Sequence, residues 1–276
     1  MAVKKYNPRT PSLRQMTTAD FSVLTRKKPL KSLVSGFQRH VGRSRGRISV
    51  RHKGAGVKRR YRLVDFRFDK RNIPARIESL EYDPNRSAYL MLLKYRDGER
   101  RYAVAPQGVR VGDEVVTHES APLKPGNRLP LKNIPVGTFV YNIELIPNTK
   151  AVLIRSAGVG AQVLAQEGNY AHLLMPSKEI RKVHANAWAS VGMVSNPDHD
   201  TIVIGKAGRA RRMGIRPSVR GTAMNPVDHP HGGGEGRTGV GLKHPKTPWG
   251  KPAHGVKTRR RKKISSRFIV RRRIKK

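Results

Sequence analysis

The chain has 276 residues, with 58 Lys and Arg against 18 Asp and Glu and a formal charge of +40 when histidine is neutral. A polypeptide this basic repels itself, so its working state is expected to include a polyanion. It contains no cysteine, which excludes disulfide frameworks and thiolate zinc sites. No window approaches the roughly 20 apolar residues needed to cross a bilayer, and the start, Met1-Ala2-Val3-Lys4-Lys5, lacks the apolar core of a signal peptide.

The charge is unevenly placed. Residues 1–60 hold 17 basic residues and one acid, Asp20. Residues 61–200 are close to balanced, with 19 basic and 15 acidic residues. Residues 201–276 hold 22 basic residues and two acids, Asp228 and Glu235. A foldable centre is therefore expected between a basic N-terminal extension (1–60) and a basic C-terminal extension (201–276). In the first extension, Gly36, Gly42, Gly46, Gly54 and Gly56 stand singly among Arg and Lys. That spacing suits close backbone approach to a rigid partner better than a loose spacer does. Tyr6, Phe21 and Phe37 there could stack on bases or wedge against the centre.

From Tyr61 the pattern has a period of two through Phe68, the signature of a strand. Further strands are expected over Ile77–Tyr82, Ala88–Tyr95, Arg101–Ala105 and Val109–His118. The sequence Arg96-Asp97-Gly98-Glu99 is a strong hairpin signal between two of them. A cluster of Pro122, Pro125, Gly126, Pro130 and Pro135 reads as a linker. A second β set follows over Phe139–Ile146, Ala151–Arg155, Ala161–Glu167, Tyr170–Met175, Ile180–His184 and Val191–Val194. The economical reading is all-β, with small barrels over 61–120 and 121–200; one larger sandwich is the alternative. Open small barrels commonly bind oligonucleotides on one face.

The last 76 residues contain 12 Gly and 6 Pro. Such a segment cannot bury enough apolar surface to offset its ordering entropy. Trp249, Phe268, Ile269 and Val270 nevertheless recur there, where a pure polycation would have none. With no helix-turn-helix, basic zipper or zinc finger in view, folded RNA is the preferred polyanion, because its bulges and clefts admit extended Arg/Gly arms. The densest chemistry lies in Asn225-Pro226-Val227-Asp228-His229-Pro230-His231-Gly232-Gly233-Gly234-Glu235-Gly236-Arg237. Three readings are open for it. His229 or His231 could act as a general base oriented by Asp228 or Glu235. Two histidines and two carboxylates could hold a metal if the loop were preformed. Or the glycines could let backbone amides approach phosphates while His231 and Arg237 donate or stack. Outside it, His199 between Asp198 and Asp200 could hold a cation or be a solvated turn, and His184 near Trp188 reads as a polar residue.

Arg216-Pro217-Ser218-Val219-Arg220-Gly221-Thr222-Ala223-Met224, running into the Asn225–Arg237 loop, resembles the hallmark stretch of large ribosomal subunit protein two, bacterial type. Shorter matches extend the resemblance over nearly the whole chain. They are Gly46-Arg47-Ile48 with Arg51-His52, Tyr61–Phe66, Glu81–Ser87, Asn133–Gly137, Arg155–Gly158, Gly205–Gly208, His244-Pro245, Thr247–Gly250 and Phe268–Arg273. The resemblance implies an oligonucleotide-binding-like barrel followed by an SH3-like barrel, with extensions inserted into large-subunit rRNA. It also implies a role in subunit joining and a His–Gly loop directed toward the peptidyl transferase region. There the RNA forms the peptide bond, so His229 is read as stabilising rRNA geometry and not as a catalyst.

The residues expected at rRNA are Arg47, Arg51, His52, Lys58, Arg59, Arg60, Arg155, Lys206, Arg209, Arg211, Arg216, Arg220, Asn225, His229, His231, Arg237, His244 and Trp249. The expected partners are large-subunit rRNA, neighbouring ribosomal proteins and the small subunit, in the cytoplasm and away from membranes. No cofactor is expected beyond a structural Mg²⁺ shared with the rRNA. Three segments depart from the family pattern: Gly54-Ala55-Gly56-Val57 stands where three glycines and a histidine are usual, and Thr238–Leu242 and Lys251–Gly255 look lengthened.

Overall fold

Strands Ala75–Glu81 (β1), Leu90–Tyr95 (β2), Arg100–Val104 (β3) and Glu114–Val115 (β4) form one antiparallel sheet in the order β4-β1-β2-β3. The computed structural model describes residues 3–25, 28–36 and 41–273; Phe37 lies outside them. β1 begins in alternation, with Ala75 and Ile77 buried and Arg76 and Glu78 outward, until a bulge between Ile77 and Ser79 shifts the register. The hairpin between β2 and β3 turns where Asp-Gly was expected, with Gly98 at φ 88°. β2 is buried on both faces. Met91, Leu93 and Tyr95 pack with Ile77 and Phe68, while Leu90 and Leu92 pack with Tyr102, Tyr141 and Val194.

Two expected strands of this module are shorter than their alternation suggests. Only Tyr61–Arg62 of the Tyr61–Phe68 run is paired as a strand, against Val34–Ser35, and Val64 adds a single parallel bridge to Tyr102. The Asp65 carboxylate ends the run by accepting the backbone N–H groups of Arg67 and Phe68 at 2.8 and 3.0 Å. Phe68 then takes a left-handed φ of 53°. Likewise only Glu114–Val115 of Val109–His118 pairs as a strand, after Gly112 turns the chain at φ 99°, and Thr117 adds a single parallel bridge to Arg128.

The second sheet contains Arg128–Pro130 (β5), Phe139–Tyr141 (β6), Ala161–Glu167 (β7), Tyr170–Leu174 (β8), Ile180–His184 (β9), Trp188–Val191 (β10) and Ile269–Arg271 (β11), in the order β5-β10-β6-β7-β8-β9-β11. The segment expected as a linker therefore carries a strand. Asn127 anchors it by accepting the Val116 N–H and donating to the Pro122 carbonyl, both at 2.9 Å, and Leu129, Leu131 and Ile134 enter the core. Pro130 is tolerated because β5 is an edge strand. The last strand of the set is Trp188–Val191 and not Val191–Val194, since Gly192 leaves the ladder at φ 110°. The tail residues Phe268 to Val270 find their use here: Phe268 accepts the Lys182 N–H at 2.8 Å, and β11 pairs with β9.

The two sheets share one compact unit, made of residues 1–38, 58–206 and 267–276. Arg128, 1% exposed, sits at its centre. Its guanidinium donates to Glu144 at 2.8 Å, to the Asn142 carbonyl at 2.6 Å and to the Trp188 carbonyl at 3.3 Å, and lies 4.5 Å from the Phe68 ring. Burial pulls this guanidinium below its ordinary pKa, and the charge and hydrogen bond of Glu144 oppose that. Arg71 lies 4.6 Å over Trp188, so both cations tie the first module to the second.

A second compact unit, residues 39–57 and 207–266, is built differently. It contains a hairpin, Arg43–Ser44 with Arg47–Ile48, whose central residues Arg45 and Gly46 both have positive φ (50° and 75°). It also contains a helix, Ala207–Arg212 (α1), the one α-helix among the described residues. Every buried hydrophobic side chain of the described chain lies between Met16 and Val194 and outside this unit. The chain is all-β apart from α1 and five short 3-10 turns among the described residues, and among those residues no helix is long and apolar enough to cross a membrane.

Candidate nucleic-acid interface

The His–Gly loop lies wholly in the second unit, and its backbone is the scaffold. The Asn225 carbonyl accepts the N–H groups of Asp228 and His229 at 3.0 and 3.3 Å. The His229 carbonyl accepts that of Gly232 at 2.9 Å, and the Met224 carbonyl that of Gly233 at 3.1 Å. His229, 8% exposed and the one buried polar side chain among the described residues of this unit, receives the His231 N–H on its Nδ1 at 3.0 Å. His231 in turn accepts the Lys246 N–H on Nε2 at 2.8 Å, and the two rings lie 4.7 Å apart at 57°. Each ring thus accepts a backbone N–H on one of its nitrogens.

The glycines are required by space. A Cβ on Gly221 would lie 2.4 Å from His229 Nδ1, and one on Gly232 would lie 2.3 Å from the Asn225 carbonyl oxygen. Gly233 and Gly234, at φ 86° and 87°, also occupy the left-handed region. Asp228 and Glu235 point outward, and neither carboxylate hydrogen-bonds to a histidine, so the acid–base arrangement is not assembled. Among the described residues no group of three His, Asp or Glu side chains could hold a metal ion, at this loop or around His199.

The remaining expected residues fall into three groups. Arg216, Arg220, Asn225 and Arg237 are exposed near the loop; Arg220 and Arg237, with Thr222, Thr238 and Val240, line a hollow of about 540 Å³. Arg51 and His52 line a second hollow of about 290 Å³ together with Arg43, Lys53 and Arg216. There His52 Nδ1 is 3.1 Å from the Pro217 carbonyl, and the Arg216 N–H donates to the His52 carbonyl at 3.0 Å. Arg51 stacks 5.0 Å from the Trp249 ring; Arg47, Arg211, His244 and Trp249 are exposed. Arg209 lies on α1 and is partly covered.

The third group belongs to the first unit. Lys58 and Lys206 are exposed. Arg59 donates to the Pro84 carbonyl at 2.5 Å, and the Arg60 carbonyl accepts from Asn85 at 2.8 Å. Arg155 is exposed, with its guanidinium 4.7 Å over Phe66. Asp69, Asp97 and Glu99 of this unit are instead engaged with cations. Asp69 is held below its ordinary pKa chiefly by Arg101, Asp97 by Lys70, and Glu99 by Arg101 and then Lys70.

Residues 30–117 match the family described as Ribosomal Proteins L2, RNA binding N-terminal domain, and residues 124–250 match Ribosomal Proteins L2, C-terminal domain. The chain belongs to the ribosomal protein L2 family. It is accordingly a structural, RNA-binding protein of the large ribosomal subunit. The C-terminal match ends just past Trp249, so it takes in both the His–Gly loop and the Trp249 turn.

Within this L2 chain, the segment Gly54–Val57 is seated by backbone bonds, from Gly54 N–H to the Gly214 carbonyl at 2.8 Å and from Val57 N–H to that of Arg212 at 2.9 Å. The Val57 side chain is exposed and, being apolar, adds no hydrogen bond to that backbone contact. Sequence reasoning missed the part played by Lys246, whose backbone closes the histidine relay from 15 residues away. Main-chain donors carry no residue signature, so composition could not have found it.

Proposed function

We propose that the second unit is the main rRNA-facing surface of this L2 protein, and that its His–Gly loop organises rRNA near the peptidyl transferase centre. One observation carries the reading. A loop whose shape is set by its own backbone and two histidine rings is surrounded by exposed arginines and lacks a buried apolar core. Such a surface offers arginine donors and positive charge, which is what phosphate recognition requires. The 18 candidate residues are proposed as rRNA contacts made by each unit separately: Lys58, Arg59, Arg60, Arg155 and Lys206 by the first, and the others by the second. The protein also supports joining to the small subunit, neighbours other ribosomal proteins in the cytoplasm, and performs no turnover of its own. Any Mg²⁺ is held jointly with rRNA phosphates.

The test is reconstitution of the large subunit with the full chain and with His229→Ala or a paired Arg216→Ala, Arg220→Ala variant. Expected are large particles that form poorly with the arginine variant, and particles with His229→Ala that form but have altered rRNA accessibility near the catalytic centre. Normal assembly and unaltered rRNA with both variants would contradict the proposal. RNA or nucleotide turnover by the isolated protein would contradict the non-enzymatic part of it.

A further inference from the structure

Residues 245–253 fold back on themselves. Lys246 and Pro252 form an antiparallel bridge, Ala253 N–H donates to the Pro245 carbonyl at 2.8 Å, and Thr247 N–H donates to that of Lys251 at 2.7 Å. The reversal is the turn Thr247-Pro248-Trp249-Gly250, closed by Gly250 N–H on the Thr247 carbonyl at 2.9 Å. Pro248 fixes φ at the second position, and Gly250 takes the left-handed step after the turn at φ 75°. The same segment is tied to the His–Gly loop through Lys246 N–H and His231. Trp249 therefore stands on a braced tip.

Its side chain is 71% exposed, whereas the chain's other tryptophan, Trp188, is 4% exposed in the first unit. Leaving an indole in water forfeits a large apolar burial. The Arg51 guanidinium, 5.0 Å from the ring centroid, covers only part of it. Arg51, Lys246 and Lys251 make the surroundings cationic, and residues 201–276 hold 22 basic residues against two acids. The ligand that matches a flat π surface beside clustered cations is an anion carrying a flat ring. A bare phosphate would use the cations and leave the indole unused. A paired base already has both faces stacked, so the ring must be unpaired.

We infer that Trp249 is a stacking platform for one unpaired nucleobase of RNA, with Arg51 ordering the indole and neutralising the adjacent phosphate. This rests on the RNA-binding reading above and adds to it a base-level contact. The site is sequence-tolerant, because every base presents a π face, and it selects unpaired over paired nucleotides.

Having only two tryptophans makes the test direct. Emission of the full chain minus that of a Trp249→Phe variant isolates Trp249. The probes are an RNA hairpin with one bulged purine, the same hairpin fully paired, and inorganic polyphosphate. The bulged hairpin is expected to quench the Trp249 component and to bind roughly tenfold more weakly to Trp249→Ala. The paired hairpin and polyphosphate are expected to bind without that quenching. Equal quenching by polyphosphate or the paired hairpin would overturn the base contact in favour of charge alone. Binding of the bulged hairpin with unchanged Trp249 emission would overturn it while leaving the RNA interface standing. Failure of every RNA to bind the unmodified chain would overturn the RNA interface and the platform with it.

Discussion

The two units of this L2 protein reach order by opposite means. The first packs Leu90, Leu92, Tyr102, Tyr141, Leu129 and Ile134 at 2% exposure or less and pairs carboxylates with Arg100, Arg101, Arg128 and Lys70. The second buries no hydrophobic side chain among its described residues and places its one buried polar side chain, His229, as a hydrogen-bond hub. Apolar burial contributes roughly 25 cal/mol per Å², so the first unit has an intrinsic driving force to fold that the second lacks. A segment without a core still holds a defined loop when its backbone donors are satisfied and its charge is met by a polyanion. The difference separates a part that folds for itself from a part that is shaped for a partner.

The sharpest way to break the comparison is to cut the first unit at its polar centre. Glu144→Ala leaves the Arg128 guanidinium buried without its carboxylate, and is expected to lower stability by about 3–5 kcal/mol in urea unfolding. A double change, Arg128→Met with Glu144→Leu, should recover much of that loss, since a buried pair replaced by apolar groups is often neutral. Full loss in the double variant as well would show that the pair supplies net stability and that apolar packing is not what the unit rests on.

An effect of opposite kind is expected from Gly232→Ala. The new Cβ would stand 2.3 Å from the Asn225 carbonyl oxygen, so the His–Gly loop must open. Urea unfolding of the first unit should change by less than about 0.5 kcal/mol, as for sites that share no partners, while affinity for large-subunit rRNA falls about tenfold or more. His231→Ala is a milder version, removing the acceptor for Lys246 N–H, and is expected to weaken rRNA binding by roughly three- to tenfold, as one net hydrogen bond would. Retained affinity in both variants would show that loop shape does not matter to RNA.

The smallest effect concerns pH. Asp69, Asp97 and Glu99 are held below their ordinary values by Arg101 and Lys70, so their contribution is complete at neutral pH. It is lost as pH falls through those lowered values, below about pH 4. Exposed pairs contribute little, so Tm followed from pH 7 to pH 3 should decline slightly less steeply in Lys70→Met than in the unmodified protein. An unchanged slope would remove the network from the stability of the first unit.

Much of the first unit was legible in the sequence, because short β-prone runs are set off there by Pro, Gly and Asn turns. Ala161–Glu167 and Ile180–His184 are strands over the residues so marked. Legibility failed where a side chain redirects the backbone, as Asp65 does at Phe68, or where proline on an edge strand imitates a linker, as Pro130 does in β5. α1 left no trace because Ala-Gly-Arg-Ala-Arg-Arg has no apolar stripe to show helical periodicity. In the candidate region, the sequence names residues but not the contacts they make with one another. Nothing in composition links His231 to Lys246 or seats Arg51 against Trp249.

The most direct test of the contrast between the units is amide hydrogen exchange on the full chain, free and bound to large-subunit rRNA. Amides of β1–β3 and β6–β10 should be strongly protected in both states, with those of residues 207–266 gaining most of their protection only on the RNA. Equal protection of residues 207–266 in the free protein would contradict the account, since that unit would then hold its order without the polyanion.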